Sequence, residues 1–589
     1  MKSHCNKKDS SPTCFNGCFT SPFLNQPRAE RDHKISPQKE LINATISLVS
    51  PNPQFSNHES LPSLSESFSC FNTIYPQYSN TNFADIIREE EYFHLSNLNN
   101  VCLDYIGHAL FSFTQLQEHA STSSSQYPSV SESTLFSIVF KNVNLKSHLL
   151  NGGLESELES SMRERIMKFM NVCEDDYSMV FTANQSSAFK LLADAYPFKT
   201  NPNLVSVYDF EDEAVEAMIE RSRTKGARTF AAELLWPSLE VQSTKLRKMI
   251  MSKKKKAGSQ GRTQHLKGSG LFVFPLQSKV TGSRYSYMWM NLARENGWHI
   301  LLDATALGAK DMETLGLSMF QPEFLICSFF KVFGNNPSGF SCLFLKKSII
   351  PMLENSSKNM GIVSLVPFEK PSQDFSSTDE ESFRLTSLQL YHASTSVLEG
   401  EKHTKSSAEI EPLHEEIKIS CKALDHADKL GLVLISSRGK YLINFMINAL
   451  LSLQQSHAGN FHSLVKIYGP KDEFDRGPVV AFNVFDWKGD KIDPFLVQKL
   501  AARNNISLGC GFLKNICFAA DLAEEEKWNK MELRGKKKGI LVVIASLSFL
   551  TNFEDMYRLW VFVARFLDAD YLEKERWRYK ALNQKTIEV

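Results

Sequence analysis

The chain has 589 residues, which is too long for a single hydrophobic core of ordinary size. Two folded domains with flexible segments are therefore expected. Its 66 basic and 66 acidic residues cancel, so no overall electrostatic field selects a nucleic acid or an anionic membrane as a partner. Eleven cysteines without a repeated spacing favour free thiols in a reducing compartment over a disulfide framework, which predicts a cytoplasmic protein.

Residues 1–83 are rich in Ser, Pro and Asn and lack periodicity, which predicts a disordered arm. The first residues have no apolar core of a secretory signal. Their Ser-rich composition leaves an organelle transit peptide open, although Asp9, Glu30 and Asp32 count against one. The longest apolar run near the C-terminus, 539–550, is too short to span a bilayer, so no transmembrane segment is predicted.

A large α/β domain is predicted over residues 84–368. Within it, residues 155–170 place Leu158, Met162 and Ile166 on one face of an amphipathic helix that packs on a sheet. The sequence YSMVFTANQSSAFKLL, which follows, predicts a strand, a turn and the start of a second helix. Backbone N–H groups at such a helix start suit a phosphate, although a helix cap without a ligand is the commoner case.

Residues 245–267 contain nine Lys or Arg and no acid. No aromatic residues alternate with these charges, so a solvated loop is favoured over a nuclear-targeting or nucleic-acid-binding patch.

The segment from residue 299 to 345 predicts three strands, with Asp303 at the end of the first and Lys331 just after the second. A lysine at the rim of a buried sheet has a lowered pKa, and its neutral amine can condense with an aldehyde. Pyridoxal 5'-phosphate is the aldehyde that fits, because its ring nitrogen needs a carboxylate partner such as Asp303. Spacing alone favours an ordinary sheet that carries a salt-bridged Asp and a surface Lys.

Several motifs resemble one family. They are DATALG and SFFKVFG around Asp303 and Lys331, FTANQSSAFKLLADAYPF at 181–198, LFVFPLQSKVTGSRY at 271–285, RGPVVAFNVFD at 476–486 and SLSFLTNFED at 546–555. Together they are similar to the class V aminotransferase group, and most to the N-terminal domain of molybdenum cofactor sulfurases. The resemblance covers about residue 90 to the C-terminus.

The resemblance implies an α/β protein of the pyridoxal-phosphate transferase fold type I. A large, mostly parallel seven-stranded sheet carries the cofactor, and a smaller α/β C-terminal domain folds over the cleft. Lys331 is then the covalent anchor and Asp303 the ring partner. The residues predicted to hold the phosphate are Asn184, Gln185, Ser186 and Ser328. Relatives pair as homodimers, which is expected here too.

The sequence departs from the family at three places. Relatives carry a ring-stacking histidine where this chain has Glu211–Glu213, and an acid cannot stack as an imidazole does. Lys279 stands where relatives often place an asparagine near the cofactor's phenolic oxygen. Ile544 replaces the arginine that binds the substrate carboxylate, a contact worth about 2 to 3 kcal/mol or more.

The family's cysteine loop corresponds to GCGFLKNIC at 509–517. Cys510 matches its first cysteine, Phe512 replaces the second and Cys517 matches the last. Cys510 is therefore predicted as the catalytic sulfur carrier, with a buried structural cysteine as the alternative.

After the lysine segment, residues 369–416 are polar and predict a partly disordered insertion. The smaller α/β domain is predicted over 417–589. Thr551 and Glu554 have the spacing of a capping box before its last amphipathic helix.

Three functions stay open. The first is a pyridoxal-phosphate-dependent transferase that moves sulfur, with an amino acid such as cysteine as substrate and no metal. The second is a pyridoxal-phosphate enzyme acting on another amine. The third is a non-catalytic scaffold that retains the fold.

Overall fold

The computed structural model describes residues 54–97, 99–104, 136–153, 155–251, 270–307, 320–329, 340–355, 361–367, 422–457, 460–471, 476–518, 532–534 and 537–581. Lys331 and the predicted insertion at 369–416 lie outside these ranges. The anchor and the insertion therefore stay predictions.

The described helices are α1 (Leu64–Ile74), α2 (Phe83–Glu91), α3 (Phe93–Asn97), α4 (Leu145–Asn151), α5 (Glu157–Phe169), α6 (Gln185–Ala195), α7 (Glu213–Thr224), α8 (Ser243–Ile250), α9 (Met288–Glu295), α10 (Lys422–Leu430), α11 (Leu432–Leu451), α12 (Pro494–Ala502), α13 (Phe553–Ala564) and α14 (Ala569–Ala581). Short 3₁₀ helices cover His58–Ser60, Pro76–Thr81, Lys347–Met352 and Arg565–Leu567.

The described strands are β1 (Val101–Leu103), β2 (Phe136–Phe140), β3 (Tyr177–Thr182), β4 (Asn203–Ser206), β5 (Arg228–Ala231), β6 (Leu234–Leu235), β7 (Glu240–Val241), β8 (Gly270–Pro275), β9 (His299–Asp303), β10 (Phe324–Ser328), β11 (Ser341–Lys346), β12 (Val363–Pro367), β13 (Gln454–His457), β14 (Asn460–Ser463), β15 (Val465–Tyr468), β16 (Val479–Val484), β17 (Ile506–Leu513), β18 (Ile516–Cys517), β19 (Glu532–Arg534) and β20 (Lys537–Ser546).

Seven strands form the larger sheet, in the order β3-β11-β10-β9-β8-β4-β5. All of them run parallel except β11, which is antiparallel to both β3 and β10. Strand β8 is buried along its whole length, as expected where helices cover both faces of a parallel sheet. The predicted mostly parallel, seven-stranded α/β sheet is confirmed.

A second, mixed sheet belongs to the smaller α/β part, in the order β1-β17-β20-β16-β15, with β19 paired to β20. Helices α11, α12 and α13 contribute to the apolar core next to it. Strand β1 runs parallel to β17, so Val101–Leu103 belongs to this sheet. The predicted boundary, which placed everything from residue 84 to 368 in the large domain, is wrong for this strand.

The N-terminal prediction also needs correction, because α1 lies within the arm predicted to be disordered. Serine 63 caps this helix with a capping box that involves Glu66. Phe71 is fully buried and its ring packs 4.8 Å from that of Phe553 on α13. A Ser-rich composition concealed aromatic residues that dock on the smaller domain, so the prediction is wrong for residues 54–83.

A buried ion pair ties α2 to α13. Arg88 donates to both carboxylate oxygens of Asp555, at 2.5 and 3.1 Å. Asp555 also accepts from the backbone N–H of Asn552, and the Asn552 side chain accepts from the N–H of Asp555. The capping box therefore lies one residue after the predicted pair Thr551 and Glu554.

Within the described residues no single helix is long and apolar enough to cross a membrane. Only the sequence-adjacent helices α10 and α11, bent by 87° at their junction, reach that length and composition together.

Phe71→Ala should lower the free energy of unfolding by about 3 to 5 kcal/mol, because it empties a fully buried aromatic site. Phe68→Ala on the same helix is the matched control, since Phe68 is 41% exposed and should cost much less. Urea unfolding followed by tryptophan fluorescence measures both. Equal effects of the two substitutions would show that α1 does not dock.

Candidate functional site

The carboxyl ends of the parallel strands meet at one edge of the larger sheet. Asp303 ends β9 and Ser328 ends β10, while α6 begins three residues after β3. Helix α7 follows β4 with Asp212 as its N-cap. Asp303, Ser328 and the start of α6 therefore lie at the edge where α/β sheets bind ligands.

Asp303 is the buried centre of this edge, with 2% of its surface exposed. Its Oδ2 accepts a 2.8 Å hydrogen bond from the Tyr208 hydroxyl. Its Oδ1 accepts from the backbone N–H and the hydroxyl of Thr305, at 2.9 and 2.6 Å. A carboxylate offers about four acceptor positions, so one remains for a further donor. A protonated ring nitrogen is a donor of the kind that this position accepts.

Tyr208 is a donor to Asp303 and not a competing base. Burial, followed by the charges of Asp303 and Asp212, raises its pKa well above the ordinary value. The phenol therefore stays protonated and holds the carboxylate in place. Sequence reasoning missed this partner, because Tyr208 lies 95 residues away from Asp303 along the chain.

The start of α6 has the geometry of an anion site. Asn184 is the N-cap, and its side chain accepts from the N–H of Ser187 at 2.9 Å. The N–H groups of Gln185 and Ser186 belong to the first turn, where a helix supplies no acceptor of its own. A phosphate here would therefore contact these two N–H groups and the half-buried Ser186 side chain, while the Asn184 oxygen is already used.

Ser328 is half-buried at the end of β10. Ile326 lies opposite Asp303 in the parallel pairing, so Ser328 stands two residues beyond that point. Its predicted role at the phosphate, like that of Lys331, stays a prediction.

Lys279 and Asp212, at two positions where the sequence departs from the family pattern, form an ion pair that the sequence analysis did not predict. Lys279 Nζ donates to Asp212 Oδ2 at 2.9 Å and to Gln185 Oε1 at 2.8 Å. The other Asp212 oxygen accepts from the N–H groups of Ala214 and Val215. The sequence analysis noted Lys279 and the acidic segment with Asp212 separately. Their opposite charges were the sequence feature that could have predicted their contact.

The contacts of Asp212 lower the pKa of its carboxyl group. Burial alone would raise this pKa, but the charge and hydrogen bond of Lys279, together with the N–H groups of Val215 and Ala214, outweigh burial. Asp212 is therefore a firmly ionised residue at the place where relatives carry a histidine. It cannot exchange protons near neutral pH as an imidazole does.

Cys510 does not join this cluster. Its Sγ lies 3.7 Å from the carbonyl oxygen of Pro494, at the start of α12. The next residue, Gly511, faces Val280 and Ile544, and successive side chains of a strand point to opposite faces. Burial, and then the charge of Asp493, raises the pKa of the Cys510 thiol to about 12. These contacts favour the structural alternative, while Cys510 as sulfur carrier stays a prediction.

Ile544 faces the side of β20 where a substrate contact was expected. Its Cδ1 would lie 2.8 Å from a Cβ built on Gly511, and Val280 approaches the same point. The position is apolar and 8% exposed. It supplies no charge for a carboxylate.

Asp212→Asn should lower the free energy of unfolding at pH 7 by about 2 to 3 kcal/mol, since it leaves Lys279 with an uncharged partner. The folded-state pKa of Asp212 is below its ordinary value, so this stability is present above about pH 4 and is lost as the pH falls through the folded-state pKa. Urea unfolding at pH 7 and at successively lower pH measures the difference.

Glu220→Gln on the same helix is the control, because its pair with Arg223 is exposed and should change stability by less than about 1 kcal/mol. A difference between the Asp212 variant and the parent that does not shrink in acid would contradict the ion pair.

No protein-family model matches the chain. It is 25% identical to the molybdenum cofactor sulfurase of Neosartorya fischeri over 449 residues, which are 72% of this chain and 47% of that protein. The Homo sapiens protein of that name is 25% identical over 73% of this chain and 44% of its own. The Arabidopsis thaliana protein is 23% identical over 81% and 57%.

Among solved structures, the cysteine desulfurase CsdA of Escherichia coli aligns with a TM-score of 0.49 and 15% identity, covering 82% of this chain and 98% of that one. A cysteine desulfurase from Thermococcus onnurineus NA1 aligns with a TM-score of 0.48 and 15% identity, over the same shares. The chain spans about half the length of the curated relatives it matches. The predicted similarity to molybdenum cofactor sulfurases is confirmed over most of this chain.

Proposed function

We propose that this chain is a pyridoxal-phosphate-dependent enzyme that transfers sulfur from an amino acid such as cysteine. The observation that carries the proposal is the Asp303 carboxylate, which is buried, held by three donors and left with one acceptor position at the ligand-binding edge of the sheet. Similarity to molybdenum cofactor sulfurases supports the reaction class.

The residues present fit the cofactor. Asp303 would accept a hydrogen bond from the ring nitrogen, and the start of α6 with Ser186 and Ser328 would bind the phosphate. Lys331 would bond the aldehyde carbon. When bound, pyridoxal phosphate supplies an electron sink for bonds at the substrate's α-carbon.

The charges around this place are arranged by the chain itself. Tyr208 and Thr305 keep Asp303 oriented as an acceptor, so it would hold a proton on the ring nitrogen. Lys279 supplies a cation beside the start of α6, fixed by Asp212 and Gln185. Ile544 cannot bind a carboxylate, and the charge of Lys279 is neutralised by Asp212.

Sulfur transfer needs a thiol that can ionise, and Cys510 is unsuited because its surroundings raise the pKa of the thiol to about 12. We propose Cys517 instead, the other cysteine of the segment that resembles the family's loop. It is half-buried at the end of β18, two residues before the undescribed segment 519–531.

We further propose a cytoplasmic homodimer. The seven cysteines in the described ranges are all free thiols, which supports a reducing compartment. The dimer is supported by the family resemblance alone. Sedimentation should give about twice the mass of one chain, and a monomer at micromolar concentration would remove that part of the proposal.

Purified protein should bind pyridoxal phosphate and show a visible absorption band, because an imine between lysine and this aldehyde absorbs in the visible or near-ultraviolet range. Lys331→Ala should lose that band. Lys347→Ala is the control, since Lys347 is exposed beside β11 and should keep it. A band that survives in the Lys331 variant would refute the anchor assignment, and a parent protein without a band would refute cofactor binding.

With a thiol reductant added to supply the two electrons that release persulfide sulfur as sulfide, sulfide release from cysteine should fall by about 100-fold or more in Cys517→Ser, because a nucleophilic thiol is removed. Cys510→Ser should retain most of the parent rate, since that thiol is protonated and faces α12. The two substitutions are chemically identical, so each controls for the other. Loss of sulfide release only in the Cys510 variant would reverse the assignment, and release of another product from another amine would replace sulfur transfer.

A further inference from the structure

Arg476 is a buried cation that no carboxylate of the described residues neutralises. It is 2% exposed and lies just before β16. Its Nη2 donates to the carbonyl oxygens of Thr281 and Val479, at 2.9 and 2.8 Å. Its Nε and Nη1 are buried and have no hydrogen-bond acceptor in the described part of the chain.

Other deeply buried arginines of this protein are paired. Arg438, which is 1% exposed, donates from both Nη atoms to Asp85 and from Nε to the carbonyl oxygen of Thr551. Arg88 has Asp555 as its partner. A buried guanidinium in this fold is thus normally neutralised, and Arg476 departs from that pattern.

Arg476 lines a small cavity together with two other cationic residues. The cavity measures about 40 Å³, and Lys440 on α11 and Arg284 after β8 contribute to its wall. Ser436, Ser548 and Gly477 add hydroxyl and backbone groups. Neither Asp nor Glu is among the described lining residues, and half-buried Lys440 has no ion pair in the described ranges.

Charge and size both favour an anion in this cavity. Burial lowers the pKa of Arg476 to about 10, so the guanidinium remains charged at neutral pH and its unmet N–H groups carry an energetic penalty. An oxygen acceptor with negative charge relieves that penalty more than water does. A volume of about 40 Å³ exceeds several-fold the roughly 10 to 15 Å³ that one water needs.

We propose that Arg476, Lys440 and Arg284 form a binding site for a small oxyanion, either inorganic phosphate or a short carboxylate. The anion accepts from Nε and Nη1 of Arg476 at the buried end and is neutralised by Lys440 and Arg284. It joins α11, the turn after β20 and the chain after β8, so it stabilises the contact between the two α/β parts. This site is independent of the proposed catalytic function.

Thermal unfolding in sodium phosphate, sodium acetate and sodium chloride at equal ionic strength tests the site. Saturating pyridoxal phosphate is included so that free phosphate does not compete for the start of α6. At about one hundred times its dissociation constant, the bound oxyanion should raise the Tm of the parent by about 2 °C above the value in chloride. Whether phosphate or acetate does so identifies which oxyanion the cavity takes.

Arg476→Gln should weaken this response by about ten-fold or more in oxyanion concentration, because charge-assisted hydrogen bonds are lost. Lys440→Ala, at a half-buried and more tolerant position, should weaken it as well and keeps the test valid if the Arg476 variant does not fold. Lys429→Ala removes the same charge from an exposed position of α10 and should leave the response unchanged.

Equal Tm values in all three salts would overturn the proposal. So would an oxyanion response that survives both Arg476→Gln and Lys440→Ala, since the anion would then bind elsewhere. These results do not depend on sulfide release or on Lys331, so the failure of either proposal is distinguishable from failure of the other.

Discussion

The proposed chemistry of this protein depends on one buried carboxylate at the end of a parallel strand. Parallel pairing brings the carboxyl ends of β3, β4, β8, β9 and β10 to one edge, where Asp303 is 2% exposed. A buried charge survives only when donors surround it, and Tyr208 and Thr305 provide three. Because the carboxylate is fixed and still has an acceptor position, the edge is suited to a cationic ring nitrogen.

Around that carboxylate, the site differs from its relatives in a coordinated way. Asp212 and Lys279 stand where the family resemblance predicts an imidazole and an amide, and they neutralise each other at 2.9 Å. This ion pair has no group that exchanges protons near neutral pH as an imidazole does. Ile544 and the half-buried Cys510 occupy positions where the resemblance predicts a carboxylate-binding arginine and a sulfur carrier. The predicted cofactor-binding positions therefore follow the family pattern more fully than the predicted substrate-binding ones.

Sequence periodicity predicted the elements that position the site, because apolar strands and the amphipathic helix α5 leave strong patterns. Periodicity did not predict the features that depend on contacts between residues distant in sequence. Phe71, Tyr75 and Tyr78 dock α1 and the following turn although their surroundings are Ser-rich. The capping box uses Asp555, which also pairs with Arg88, in place of Glu554. The direction of the Cys510 side chain follows from strand pairing, which motif alignment does not contain. Tyr208 and Arg476 act through partners that are distant in sequence.

The central claim is that Asp303 holds a proton on the ring nitrogen of pyridoxal phosphate. Nuclear magnetic resonance of the cofactor labelled with ¹⁵N at that nitrogen measures its protonation directly. The account predicts a protonated ring nitrogen at neutral pH in the parent protein, and a deprotonated one in Asp303→Asn at the same cofactor occupancy. A deprotonated ring nitrogen in the parent, or the same signal in both proteins, would contradict it.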